Sequence, residues 1–201
     1  MIAIIDYGMG NLASVYKAIK SLNLEVIITD DPKEIEAAKI IVLPGVGSFK
    51  QGMENLKNKN LISVLNKEIL VKKKYFLGIC LGMQLIMEFG NEPEITKGLG
   101  WIKGDVIKIN NNKFPIPHLG WNRTFSSINE TGIDDLTNNF YFIHSYHVRP
   151  NEDVVQTYVD YEFKMVASIK KGNIFATQFH PEKSQEAGLK LLHNFFNRCL
   201  K

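Results

Sequence analysis

A cysteine flanked by glycines stands at the boundary between a predicted strand and a predicted helix. The segment Gly78-Ile79-Cys80-Leu81-Gly82 matches the G-x-S-x-G nucleophile elbow, with sulfur in place of oxygen. Such a turn holds a nucleophile in strained backbone geometry and pushes it into solvent, while the glycines permit a close backbone approach. The start of the following helix favours the thiolate. By itself the pattern fits a buried structural cysteine and a nucleophile equally well. The interpretation therefore depends on whether the chain supplies a base elsewhere.

A histidine and a glutamate near the C-terminus supply that base. His180-Pro181-Glu182 follows a predicted strand over residues 173–179. Residues two apart on an extended backbone point to the same side, and the proline keeps the histidine extended. A carboxylate beside an imidazole orients the ring and stabilises its charged form. Cys80, His180 and Glu182 therefore predict a nucleophilic triad.

A glycine-containing turn could bind the oxyanion of a tetrahedral intermediate. Gly45, Val46 and Gly47 follow the third predicted strand and offer backbone N–H groups with little steric cover. Taken alone, this segment is typical of an ordinary strand-ending turn. Together with the cysteine elbow it predicts an oxyanion loop.

The N-terminal segment favours a competing hypothesis. Gly8, Gly10 and Ala13 form G-x-G-x-x-A between a strand and a helix, and Asp30 stands at the end of the second predicted strand, directly after Thr29 and 20 residues after Gly10. That arrangement is nearly the dinucleotide-binding fingerprint and would indicate an NAD-dependent oxidoreductase. It leaves the cysteine and histidine without a role, and the chain then lacks an obvious second catalytic domain, so we favour the triad. A binding or regulatory module that merely retains these residues is a third possibility.

The other histidines do not predict a metal site. His144 and His147 are three apart in a predicted strand over residues 140–149 and would point to opposite faces. His118 lies in a proline-containing segment predicted to be a loop, and His193 lies on the last predicted helix. We therefore predict no metal and no other cofactor.

The composition indicates one globular domain spanning residues 1–201. The net charge of +3 is too small to indicate nucleic acid or a membrane surface as a partner. No apolar stretch approaches the length of a transmembrane helix. The two cysteines, Cys80 and Cys199, are too few for a disulfide framework and indicate a reducing compartment. We therefore expect a soluble, cytoplasmic protein.

The order of the predicted elements indicates the sheet that would carry the triad. In the first half, strands alternate with amphipathic helices, which predicts a parallel sheet covered on both faces. These strands span residues 2–6, 25–29, 39–43 and 75–79. The helices span 12–22, 32–39 and 81–89, and further helical segments fall between residues 48 and about 72. The second half contains strands at 101–109, 140–149, 165–170 and 173–179, and a helix at 184–200. The predicted fold class is α/β, with a central, mostly parallel sheet, flanking helices and an antiparallel extension. The carboxyl ends of parallel strands would bring the cysteine and the histidine to one edge.

Over nearly its whole length the sequence resembles the class I, triad-type glutamine amidotransferases. The signatures are Gly78-Ile79-Cys80-Leu81-Gly82-Met83-Gln84 and His180-Pro181-Glu182. More narrowly, it is similar to the glutaminase subunits of imidazole glycerol phosphate synthases. The segments that carry this similarity are Asp6-Tyr7-Gly8-Met9-Gly10-Asn11, Leu43-Pro44-Gly45-Val46-Gly47, Pro117-His118-Leu119-Gly120-Trp121-Asn122 and His180-Pro181-Glu182-Lys183-Ser184. The resemblance implies a flavodoxin-like class I amidotransferase domain.

The resemblance also implies a reaction. Cys80 would attack the side-chain amide of glutamine and release ammonia, with His180 as general base and acid and Glu182 orienting it. Gly47 would belong to the oxyanion loop. The residues implied near bound glutamine are Gln84, Ser145 and Tyr146.

A second chain is implied as the destination of the ammonia. That partner is a cyclase subunit of (β/α)8 fold, which in a heterodimer makes imidazole glycerol phosphate and AICAR from PRFAR in histidine biosynthesis. The positions implied near the interface are Trp121, Tyr141 and Lys183. A paralogous glutaminase that supplies ammonia for amidino-sugar synthesis on surface polysaccharides is the alternative, because its glutaminase chemistry is identical.

Overall fold

The computed structural model describes residues 1–110, 112–126 and 136–200. Within these residues, nine strands form one mixed sheet in the order β2-β1-β3-β4-β13-β12-β11-β8-β9. Four further strands form a smaller sheet in the order β10-β7-β5-β6. The strands are β1 (Ile2–Ile5), β2 (Val26–Thr29), β3 (Ile40–Gly45), β4 (Tyr75–Cys80), β5 (Met87–Asn91), β6 (Ile95–Lys97), β7 (Ile102–Lys108), β8 (His118–Ser126), β9 (Asn139–His144), β10 (Tyr146–Pro150), β11 (Val155–Tyr161), β12 (Phe163–Lys171) and β13 (Ile174–Thr177).

Helices cover both faces of the large sheet. They are α1 (Leu12–Lys20), α2 (Pro32–Ala37), α3 (Phe49–Asn58), α4 (Leu61–Asn66), α5 (Leu81–Leu85) and α6 (Gln185–Leu200). A π-helical turn, Lys67–Val71, continues α4, and a 3-10 turn, Pro181–Lys183, precedes α6. Every residue of β3 is buried, as expected for a parallel strand covered on two sides.

The sheet confirms the predicted fold class. Strands β2, β1, β3, β4 and β13 are parallel to their neighbours in that block. Strands β12, β11, β8 and β9 add the antiparallel extension. The late strand β13 is inserted beside β4, so the segment that follows it arrives next to the end of β4. This crossover places Cys80 and the His180–Glu182 pair at the same edge of the sheet.

Three local predictions were wrong. The helix predicted over 81–89 ends at Leu85, and Met87–Asn91 is a strand, because this segment pairs with β6 and β7 and Gly90 packs against the ring of Phe49. The strand predicted over 140–149 is two strands in different sheets, broken at Ser145. His118 begins β8 and does not lie in a loop. In each case distant pairing partners outweigh the local pattern.

Candidate active site

The elbow at the end of β4 has the strained geometry that the flanking glycines predict. Cys80 has φ 53° and ψ −107°, a region that L-residues rarely adopt. A side chain on Gly82 would overlap the carbonyl oxygen of Leu43, and one on Gly78 would lie 2.9 Å from the carbonyl oxygen of Gly82. Glycine at both positions is therefore a requirement of the turn that presents the sulfur.

The imidazole of His180 is held by Glu182. The Nδ1 of His180 lies 2.7 Å from Oε1 of Glu182, and both side chains are buried. Because a carboxylate accepts, Nδ1 carries the hydrogen, and Nε2 has no conventional hydrogen bond among the described residues. Burial disfavours the charged ring, but a Cys80 thiolate and Glu182 outweigh burial and raise the pKa of His180 to about 10. The surroundings thus favour a charged imidazolium on His180.

The predicted oxyanion loop begins directly beside the nucleophile. Gly45 is in register with Cys80 across the β3–β4 pair. Val46 and Gly47 line the same cavity as the sulfur, and Gly47 has φ 112°, which favours glycine. The loop is therefore close enough to donate N–H groups to an oxyanion formed on a group attached to Cys80.

A cavity of about 540 Å³ opens above Cys80. It is lined by all three residues that the family resemblance implied near bound glutamine, Gln84, Ser145 and Tyr146. The structure adds lining residues that sequence reasoning missed, which are Ser48, Leu81, Glu92, Pro117, Ile143 and His144. Burial raises the pKa of Glu92, against an opposing hydrogen bond from the N–H of Phe49.

A buried side-chain amide that was not predicted contacts the nucleophile. Gln178 is fully buried, and its Nε2 lies 3.6 Å from Sγ of Cys80. Its Oε1 accepts a hydrogen bond of 3.1 Å from Nε2 of Gln84. The available signal was its spacing: it precedes His180 by two residues, so an extended chain carries both side chains to one side.

Comparisons with known proteins agree with this geometry. The sequence model of the family described as Glutamine amidotransferase class-I matches residues 3–199. The chain belongs to the class I glutamine amidotransferase family. Solved structures at low sequence identity share its fold: one described as a glutamine amidotransferase has a TM-score of 0.77 at 16% identity, covering 98% of this chain and 97% of that one. PurLQS from Thermotoga maritima has a TM-score of 0.76 at 19% identity, covering 100% and 98%.

Curated relatives of this amidotransferase are named as subunits of one enzyme. Imidazole glycerol phosphate synthase subunit HisH 1 of Campylobacter jejuni strain RM1221 is 48% identical over 200 residues, covering 97% of this chain and 98% of the relative. Subunit HisH 2 of Methanococcus maripaludis is 45% identical over 204 residues, covering 99% and 100%. Subunit HisH of Aquifex aeolicus is 46% identical over 202 residues, covering 98% and 97%.

The amidotransferase brings the three predicted interface residues together. Trp121 and Tyr141 are cross-strand neighbours on β8 and β9, with ring centroids 6.0 Å apart. The Nζ of Lys183 lies 5.8 Å from the centroid of the Tyr141 ring. These side chains share a face with Leu119 and Ile143, and together the five define the outer face of the β8–β9 pair.

The glycines of the N-terminal segment have a packing role in the amidotransferase. A Cβ on Gly10 would lie 3.2 Å from Cα of Gly45, and one on Gly47 would lie 2.7 Å from Cε of Met9. Met9 and Gly10 therefore support the oxyanion loop, which accounts for Gly10 without a nucleotide. Asp30, the acidic residue of the dinucleotide hypothesis, pairs with Lys59 at 2.9 Å.

Among the residues that the structure describes, no cluster of three or more histidine, cysteine, aspartate or glutamate side chains is placed to hold a metal ion. Within the same part of the chain, no helix is long and apolar enough to cross a membrane.

Proposed function

We propose that this chain is the glutaminase subunit of an imidazole glycerol phosphate synthase. It hydrolyses L-glutamine to glutamate and ammonia and passes the ammonia to a (β/α)8 cyclase subunit, which makes imidazole glycerol phosphate and AICAR from PRFAR in histidine biosynthesis. The observation that carries the proposal is the buried His180–Glu182 pair beside the strained Cys80, at the base of a cavity large enough for glutamine. The names of the relatives support the pathway.

The proposed reaction uses a thiolate on Cys80 and an imidazolium on His180. The Cys80 thiolate attacks the side-chain carbonyl carbon of glutamine, and N–H groups of the loop Gly45–Gly47 stabilise the oxyanion. The imidazolium of His180 gives its Nε2 proton to the departing nitrogen, so the C–N bond breaks and ammonia leaves a thioester on the sulfur. The neutral ring then takes a proton from water, whose oxygen attacks the thioester, and glutamate departs as the thiolate is restored.

The lining of the cavity fits the rest of the substrate. Glutamine carries an α-ammonium group, and Glu92 is the carboxylate among the described lining residues. We assign Glu92 to that ammonium group, because the attraction between opposite charges is stronger in a half-buried site than in water. Gln84, Ser145 and the backbone around Tyr146 supply polar contacts for the remaining atoms.

The outer face supports delivery to a partner. Leu119 is 57% exposed, Trp121 46% and Ile143 37%, and a contiguous apolar patch of this kind is typical of an interaction site. Ile143 and Lys183 also line the cavity above the sulfur. A partner on this face would therefore cover the mouth of the cavity and receive ammonia before it is protonated in water.

The central claim is tested by ammonia release from glutamine, with and without a cyclase loaded with its ligand. We expect low activity for the isolated chain, stimulation by the loaded cyclase, and loss of activity in Cys80→Ala. The matched control is Cys199→Ala, since the second cysteine is partly buried on α6 and should not contribute. Full activity in Cys80→Ala would refute the proposal.

The destination of the ammonia is tested by complementation of a histidine auxotroph that lacks its own glutaminase subunit. Growth without histidine supports the histidine pathway. If the chain fails to complement while its glutaminase activity is intact, the ammonia serves another acceptor, such as a precursor of an amidino sugar.

A further inference from the structure

A line of hydrogen bonds runs along the inner face of the β8–β9 pair, on the side opposite the outer face. The Nδ2 of Asn122 lies 2.6 Å from Nε2 of His118. The Nδ1 of His118 lies 2.9 Å from Nε2 of His144. The Nδ1 of His144 lies 2.8 Å from the carbonyl oxygen of Tyr146. We call these four residues the histidine line.

The direction of every bond in the histidine line is determined by its last member. A backbone carbonyl only accepts, so Nδ1 of His144 must donate to Tyr146. In a neutral ring, Nε2 of His144 then accepts from Nδ1 of His118, and Nε2 of His118 accepts from the amide of Asn122. Both rings are therefore Nδ1–H tautomers. Protonation of His144 would place two donors against each other.

The surroundings keep both rings neutral. Burial lowers the pKa of His118 to about 4. Burial, together with the neighbouring His118, lowers the pKa of His144 to about 3. The ring of His118 also stacks on Phe142 at 4.7 Å and lies 4.1 Å from the ring of Tyr161, measured between centroids. The line is thus neutral at physiological pH.

Beyond the carbonyl of Tyr146, hydrogen bonds continue to the nucleophile. That oxygen also accepts a bond of 3.0 Å from Nε2 of Gln84. Gln84 Nε2 donates to Oε1 of Gln178 at 3.1 Å, which turns the Gln178 amide nitrogen to Sγ of Cys80 at 3.6 Å. The Tyr146 carbonyl therefore joins the histidine line to the two amides that contact the cavity and the sulfur.

We propose that His118 and His144 are positioning residues that couple the outer face to the glutamine site. The side chains of β8 alternate, so Leu119 and Trp121 lie on the outer face while His118 and Asn122 lie on the inner one. A displacement of β8 when a partner docks moves the histidine line, and through the Tyr146 carbonyl it moves Gln84 and Gln178. The coupling is strong because a buried group left without its partner is costly. The identities of the substrate and the partner rest on the proposed function, whereas the line itself does not.

The first test is the tautomeric state of the rings in the isolated chain, measured by ¹⁵N NMR after histidine labelling. We expect His118 and His144 to be Nδ1–H tautomers that do not titrate between pH 6 and 8, because their pKa values are about 4 and about 3. The ring resonances of exposed His193 serve as the internal reference for the assignment. Protonation at Nε2 of either buried ring would overturn the proposal.

The second test removes members of the line that lie far from the sulfur. Asn122→Ala deletes the first donor, and His118→Phe keeps a ring on Phe142 but deletes both bonds. The matched control is Arg123→Ala, an exposed neighbour on the same strand. The readouts are the rate of Cys80 alkylation by iodoacetamide, kcat and KM for glutamine, and Tm.

We expect Asn122→Ala to shift the His144 ring resonances and to change the alkylation rate and kcat/KM by about fivefold, the effect of one hydrogen bond. His118→Phe should change them further, and Arg123→Ala should not change them. If both line variants lower Tm but alkylation and kcat/KM stay at the wild-type value well below Tm, the line is only structural and the proposal is wrong. If wild type lacks glutaminase activity, the proposed function fails, and the tautomers and alkylation rates still decide this inference.

Discussion

The amide nitrogen of Gln178 lies 3.6 Å from the sulfur of Cys80. The amide cannot turn over without losing its bond from Gln84. A neutral donor held in this orientation stabilises a thiolate more than it stabilises the uncharged thiol. Gln178 therefore supports the nucleophile, although it is neither an acid nor a base.

We predict that Gln178→Leu slows alkylation of Cys80 by iodoacetamide about tenfold, because loss of a hydrogen bond to a charged group costs about 1.5–3 kcal/mol. Gln156→Leu is the control, since Gln156 is also a buried glutamine but lies on β11. Equal alkylation rates at pH 7 in wild type and Gln178→Leu would contradict this role.

Support of the oxyanion loop by the N-terminal segment predicts a kinetic defect in Gly10→Ala. The residue has φ 105° and its missing side chain points at Gly45, so alanine strains its own backbone and displaces the loop. We expect kcat for glutamine to fall at least tenfold with little change in KM, because an oxyanion forms only in the transition state.

Gly100→Ala is the matched control for that variant. Gly100 also has a positive φ, 69°, but nothing lies within 4 Å of its missing side chain. Both variants should lose about 1 kcal/mol of stability in urea titrations, and only Gly10→Ala should lose activity. Equal kinetic losses would show that backbone strain, and not contact with the loop, is responsible.

The charge on His180 predicts a titration that depends on the nucleophile. The pKa of His180 is raised from 6.5 to about 10, so the charged ring stabilises the fold below about pH 6.5, and this contribution is lost as pH rises through about 10. In Cys80→Ala the thiolate is absent and burial opposes Glu182 alone, so the pKa of His180 should fall. NMR of the labelled ring, from pH 5 to 10.5, measures both values. An unchanged pKa in Cys80→Ala would show that the two groups do not interact.

The outer face predicts a binding defect that spares the nucleophile. Trp121→Ala should weaken binding to the cyclase at least tenfold, because a large aromatic side chain at the centre of an apolar patch is a typical hot spot. Cys80 alkylation should remain at the wild-type rate. Tyr75→Ala is the control, since Tyr75 is 41% exposed at the start of β4, the end opposite Cys80. Calorimetry or surface plasmon resonance with the purified cyclase measures the affinity of each variant. Equal binding by the two variants would place the interface elsewhere.

The sequence predicted the elements whose signals are local. The G-x-C-x-G turn, the parallel first half and the helix over residues 184–200 could be derived from glycines, apolar runs and a 3.6-residue period. The predictions that failed concern segments whose conformation depends on distant strands. Residues 87–91 have an apolar pattern that fits a helix, and their pairing with β7 makes them a strand.

By itself, the sequence determined which residue types can do chemistry and where the chain must turn to present them. Cysteine, histidine and glutamate have reactive groups whatever the fold, and the glycines around Cys80 permit only a limited set of turns. The tertiary structure alone decided which groups meet. It inserted β13 beside β4, placed Gly10 against Gly45, and joined His118 to His144 across two strands. Such contacts depend on sheet order and register, which are set by the burial of many residues together and leave no short-range pattern in the chain.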